Sequence, residues 1–155
     1  MHPTVLRFAD LLRAAGATGE PRELTDSART AAEAAAALGC EVGAIASSLL
    51  FIADDEPLLV MTSGAHRVDT THVAGLLGVS RIKRADADLV RSATGYAIGG
   101  VAPIGHPAPL RTLVDIALAA HPVVWSAAGH PHAVFPTTYD ELLRLTSGTA
   151  AQVAG

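Results

Sequence analysis

The sequence predicts an α+β fold, a curved mixed sheet wrapped by helices, on three observations. Capped helical segments alternate with short apolar runs along the whole chain. Two of those runs, residues 48–52 and 58–61, flank Asp54-Asp55-Glu56-Pro57, the pattern of an antiparallel hairpin with a four-to-five-residue loop. No repeat, low-complexity tract or linker divides the 155 residues, a length that suits one core. Residues 1–148 are read as one domain and residues 149–155 as a flexible C-terminal tail.

Taken in order, Val5, Phe8, Leu11, Leu12 and Ala15 recur at helical spacing and Gly16 stops that helix. Thr30-Ala31-Ala32-Glu33 is a capping box opening a second helix that ends at Gly39. The hairpin strands follow, expected to be central. Asp69 caps a helix running to Leu77 with Gly78 as its stop, and Asp86 opens one ending near Gly95. Residues 111–114, 123–126 and 133–135 read as strands, the last two separated by a turn at Ala128-Gly129. Thr138-Tyr139-Asp140-Glu141 is a further capping box, launching a final helix through Leu142, Leu143 and Leu145.

Composition narrows the function. Half the residues are apolar, 17% are charged and only 4% are aromatic, so the core is built from Ala, Val, Leu and Ile. No apolar run approaches the roughly 20 residues a membrane span needs, and the N-terminus carries no secretory pattern; a cytoplasmic protein without membrane contact is expected. Cys40 is the single cysteine, which excludes an internal disulfide and fits a small buried hydrophobe. A net charge of -4 argues against broad nonspecific nucleic-acid binding but leaves local recognition of an RNA end open. The cluster Arg81, Lys83, Arg84 and Arg91 either faces a phosphate backbone or is a solvated face.

The segment Thr94-Gly95-Tyr96-Ala97-Ile98-Gly99-Gly100-Val101-Ala102-Pro103-Ile104-Gly105 carries the strongest chemical signal. Its glycines let backbone approach a ligand closely, and Pro103 limits the loop's freedom. Exposed N–H groups then hold a polar or anionic group without a charged side chain, unless the segment is only a glycine-rich turn.

Three motifs in series give this sequence a family likeness. The first runs from Arg29-Thr30-Ala31-Ala32-Glu33 through Leu38-Gly39-Cys40 to Ile45-Ala46-Ser47-Ser48-Leu49-Leu50-Phe51; the second is Ser63-Gly64-Ala65-His66-Arg67-Val68-Asp69 with its helix to Leu76-Leu77-Gly78-Val79; the third is the glycine loop. Together they resemble the YbaK family of aminoacyl-tRNA deacylases, whose fold is that of the editing domain inserted in bacterial prolyl-tRNA synthetases. The resemblance implies a partly closed barrel and a freestanding hydrolase that cleaves a mischarged small amino acid from the 3′ adenosine of tRNA, without a cofactor. Its partners would be the tRNA acceptor end and an aminoacyl-tRNA synthetase.

The same resemblance assigns roles. The loop, at Gly100, Val101 and Ala102, would stabilise the oxyanion, with Gly99, Pro103, Ile104 and Gly105 against the substrate. Family members carry a lysine where this chain has Ser47, and an acidic residue in the final strand where it has Val134. Serine donates one hydrogen bond but does not neutralise charge as an ammonium does. A catalytically weakened homologue that binds an aminoacyl or nucleotide-like ligand is therefore the alternative. His130 and His132 flank Pro131 and offer a replacement, positioning water or moving a proton, if they face the pocket rather than solvent. Alternation would also let both reach a metal, but no third ligand stands at suitable spacing and none is expected.

Around these, Asp69 reads first as a helix cap, Arg67 reaches an RNA phosphate or is a surface charge, and His106 lies closer to the loop than the remaining histidines. Asp115 either supports the loop or begins a helix. No Gly-x-Ser-x-Gly elbow accompanies Ser47 and Ser48, and the glycine loop lacks the context of a dinucleotide-binding turn.

Overall fold

Side chains visible in the sequence start and stop most of the helices. In the computed structural model, which describes residues 1–25 and 30–155, Thr30, Asp69, Asp86 and Thr138 each accept a backbone N–H three residues on, and Gly39, Gly78 and Gly95 close their helices at positive φ. Arg29, at the head of the first motif, lies outside the described residues. The elements are α1 (Pro3–Ala14), β1 (Arg22–Glu23), α2 (Ala31–Leu38), β2 (Ile45–Ala53), β3 (Glu56–Ser63), α3 (Thr70–Leu77), β4 (Ile82–Arg84), α4 (Ala87–Thr94), β5 (Arg111–Asp115), β6 (Val124–His130), β7 (Ala133–Thr137), α5 (Tyr139–Thr146) and β8 (Thr149–Ala151).

The strands form one mixed sheet in the order β1-β7-β6-β2-β3-β5-β8, with β4 also on β2. The α+β reading holds, but the two end strands, β1 and β8, do not pair and the sheet is open rather than a partly closed barrel. Leu50 opposes Leu59 and Phe51 opposes Leu58. Strand alternation therefore sends these pairs to opposite faces. On one face Leu50 and Leu59 pack with Val5, Phe8 and Leu12 of α1 and with Phe135; on the other Phe51, Leu58 and Val60 pack with Val73 of α3, Leu113 and Val153.

Three expectations are corrected. The hairpin turn is only Asp54-Asp55, both at positive φ (45° and 73°), because β3 begins at Glu56 and admits Pro57. Proline is tolerated there because the pairing with β5 starts one residue later, at Leu58. The turn expected at Ala128-Gly129 lies at Pro131-His132; β6 continues through a bulge at Gly129, whose φ of 101° suits glycine. Residues 149–155 are not a loose tail: β8 pairs with β5 in parallel, Val153 is fully buried, and its carbonyl accepts the Asp69 N–H at 2.8 Å.

Candidate active site

The site begins as a fork in the sheet. β6 takes the first two residues of β2, Ile45 and Ala46, and β4 takes the last three, Phe51, Ile52 and Ala53. Between them residues 47–49 have a strand partner only on the β3 side. A cavity of about 290 Å³ occupies this gap. Ser47, Ser48, Gly99, Val101, Trp125 and Val134 all line it, with Thr30, Ala31 and Ala34 contributed by α2. Ser48 Oγ is buried without a hydrogen-bond partner among the described residues. Among the described residues lining the cavity, Arg84 is the one that is charged.

The glycine loop is stapled from behind. Thr94 Oγ1 accepts the Tyr96 N–H at 3.1 Å, the buried Tyr96 hydroxyl donates to the Ile104 carbonyl at 2.6 Å, and His106 Nε2 donates to the Ala102 carbonyl at 2.8 Å. Burial pushes the Tyr96 hydroxyl pKa up and the His106 pKa down, the latter against the opposing effect of its hydrogen bond to Ala102. His106 thus anchors the loop and lies outside the cavity, in place of the substrate contact that its position suggested. Gly99, at φ 85°, is the third residue of a turn closed by the Gly100 N–H donating to the Ala97 carbonyl at 2.9 Å. The Gly100 amide, expected as an oxyanion donor, is therefore already committed. Among the described residues the N–H groups of Val101 and Ala102 have no such internal partner.

Gly100 matters for another reason. A Cβ there would sit 2.8 Å from the backbone of His130 and 2.9 Å from Pro131 N, so only glycine lets the loop rest on the β6–β7 turn.

The remaining predicted residues disperse. Ala102 is buried in the core behind the cavity, and Pro103, Ile104 and Gly105 line a separate groove against β5, α5 and β8. Arg67 is exposed and lines none of the three recesses. His130 and His132 face a shallow recess beside the start of α1, where their rings lie 5.7 Å apart and His2 lies 4.9 Å from His130. His130 Nδ1 accepts the His132 N–H at 3.2 Å, and His2 Nδ1 accepts the Thr4 N–H at 3.1 Å. Each of these rings then carries its hydrogen on Nε2 and is left with no lone pair for a water proton or a metal. Burial, followed by the charges of His2 and His132, pushes the His130 pKa down.

Asp115 supports structure rather than chemistry. It accepts the N–H groups of Ser63 and Ala117, at 2.9 and 3.0 Å, and pairs with His66 Nε2, which ties β3 to β5. Burial pushes the Cys40 thiol pKa up, which keeps it protonated and inert. Sequence reasoning missed Thr30, Arg84 and Trp125 as cavity residues, and Tyr96 as the loop's staple. Arg84 was visible as a cation, and only its place in the cavity lining singles it out.

Comparison with known proteins bears on this geometry. A model of the aminoacyl-tRNA editing domain matches residues 25–145. The chain belongs to that family, as its three motifs suggested. It is 36% identical over 110 residues to a proline–tRNA ligase of Bacillus licheniformis, covering 68% of this chain and 19% of the ligase. To that of Geobacter metallireducens it is 31% identical over 90 residues, covering 56% of this chain and 16% of the ligase. The chain thus spans less than a fifth of the length of these curated relatives. Among solved structures, a candidate trans-editing enzyme for prolyl tRNA synthetase superposes with a TM-score of 0.94 at 39% identity, covering 100% of this chain and 99% of that one. No helix among the described residues is long and apolar enough to cross a membrane.

Proposed function

We propose that this chain acts in trans on mischarged tRNA, hydrolysing the ester of a small amino acid at the 3′ adenosine. The observation that carries the reading is the cavity in the β2 fork, which Ser47 and the loop residues Gly99 and Val101 line together. An aminoacyl ester is activated already; it needs a placed water and a stabilised oxyanion. In this reading the amide of Val101, which lines the cavity as Ala102 does not, supplies that stabilisation, which requires a donor fixed before the reaction. The next carbonyl, that of Ala102, is held by His106, and the loop is seated by Gly100 on the β6–β7 turn. Ser47 supplies a hydrogen bond to the acyl group or to the water. Water activation is then left to the substrate's own ribose hydroxyl, because no carboxylate or imidazole lines the cavity among the described residues. The likeness in fold and sequence to a candidate trans-editing enzyme supports action in trans.

That lack of a titratable base also favours a second reading, a homologue that binds an aminoacyl or nucleotide-like ligand without turning it over. Loss of ester from a panel of mischarged tRNAs, followed with purified protein, separates the two. Turnover of a small aminoacyl ester is expected. No turnover by the parent together with no gain from Ser47→Lys would leave only the binding reading.

A further inference from the structure

We infer that Arg84 is a phosphate-binding residue at the cavity mouth, gripping the backbone of a single-stranded RNA end whose last nucleotide occupies the cavity. This rests on the proposed reading for the identity of the strand. The placement of Arg84 is independent of it.

Its place in the cavity lining selects this residue from a basic cluster that looks uniform in sequence. Arg84 opposes Phe51 and Lys83 opposes Ile52. Arg84 shares the sheet face of Phe51, over whose ring it lies, and Lys83 shares that of Ile52. Arg84 lines the cavity; Arg81, Lys83 and Arg91 do not. The side chain is also uncommitted. It is exposed, lies within 4.0 Å of no carboxylate among the described residues, and has only the Phe51 ring beneath it, 5.7 Å from the ring centroid. A contact of that length orients a guanidinium without using its N–H fork, which matches two oxygens of a phosphate.

The spacing suits one nucleotide. Phe51 stands four residues beyond Ser47, or about 13 Å along the strand. A long guanidinium side chain reaching back from Arg84 and one nucleotide reaching out from an acyl group beside Ser47 span that distance together. Among the described residues the other lining side chains are neutral. A negative chain as a whole then offers one local attraction to a phosphodiester, which gives register without general affinity for RNA.

The experiment measures equilibrium binding of a single-stranded RNA oligonucleotide ending in CCA, by fluorescence anisotropy over a range of KCl concentrations. Arg84→Gln is expected to weaken binding and to reduce the slope of log K against log salt by about 0.7, the contribution of one phosphate contact on a single strand. Arg84→Lys is expected to recover most of the slope, and Lys83→Gln to keep the parent's slope. An unchanged slope in Arg84→Gln, or an equal change in Lys83→Gln, overturns the inference. So does displacement of the RNA from the parent by micromolar inorganic phosphate, which would make the site one for a free anion.

Deacylation of mischarged tRNA provides the second readout. Arg84→Gln is expected to raise KM roughly tenfold while kcat stays within about twofold, the pattern of lost uniform binding. Parent protein that turns over no ester yet shows the Arg84-dependent slope would end the proposed reaction and support the phosphate site. Parent protein that turns over ester with the same KM in Arg84→Gln would do the reverse.

Discussion

The cavity in the β2 fork and the histidine recess beside α1 lie on either side of the β6–β7 turn, and they set the site proposed for substrate against the cluster richest in titratable groups. The recess holds three imidazoles, the richest titratable cluster near the loop, yet two of the rings spend an acceptor nitrogen on local backbone and sit at a shallow surface. The cavity holds serine, glycine, alanine and valine, yet it is where an unpaired strand edge, the loop and an uncommitted cation meet. In the proposed reading, placement of backbone donors beside the cavity, more than the presence of titratable side chains, is what suits it to an already activated ester. If this contrast is right, substitutions should matter in proportion to their effect on the loop.

The largest effect is expected from Gly100→Ala. The added methyl meets the His130 backbone at 2.8 Å, which has no flexible end to yield, so the loop must lift. Displacement of about 1 Å costs on the order of 100-fold in turnover. Steady-state deacylation with a melting curve as the folding control checks this, and full activity in Gly100→Ala would remove the loop from the mechanism. Ser47→Lys should move the other way, raising kcat/KM about tenfold by adding a charge-assisted hydrogen bond to the acyl group. Tyr96→Phe removes the buried hydroxyl that holds the Ile104 carbonyl. Leaving that acceptor unpaired costs about 1–3 kcal/mol, read as a drop of several degrees in Tm.

The smallest effect on turnover belongs to His130→Ala with His132→Ala, expected within about twofold of the parent. A large loss there would invert the comparison between the two regions. The same variant should alter the pH dependence of stability. His106 and His130 have pKa values below the ordinary 6.5 in the fold, so the unfolded chain binds more protons between the folded and unfolded values. Stability is then full above about pH 6.5 and falls as pH drops through that window. Thermal melts between about pH 7.5 and 5.5 should show this decline in the parent, and a shallower one in the double variant, which retains only the His106 contribution.

Much of the frame was legible because its signals are local. Caps at Thr30, Asp69, Asp86 and Thr138 and the left-handed stops at Gly39, Gly78 and Gly95 act within a few residues, so composition and spacing reveal them. Strands of three residues carry no usable period, and β4 and β8 went unseen for that reason. The hairpin was seen but its turn was misjudged, since Pro57 looks like a loop residue until its place beside an unpaired stretch of β3 is known. The loop motif was found, while the commitment of the Gly100 amide to Ala97 was hidden, because a hydrogen-bonded turn and an open anion cradle use the same glycines.

By itself the sequence determined the family, the helices and the loop that seats against the β6–β7 turn, since each depends on motif, spacing or a residue of special conformation. Only the tertiary structure decided which residues meet. Three partners compete for one strand, β2, and two of them part to leave residues 47–49 uncovered; that divergence brings Ser47, Val101, Trp125 and Arg84 around one space from four distant segments, while the neighbouring histidines are turned the other way. Pairing register is a property of the whole sheet, and no stretch of a few residues encodes it.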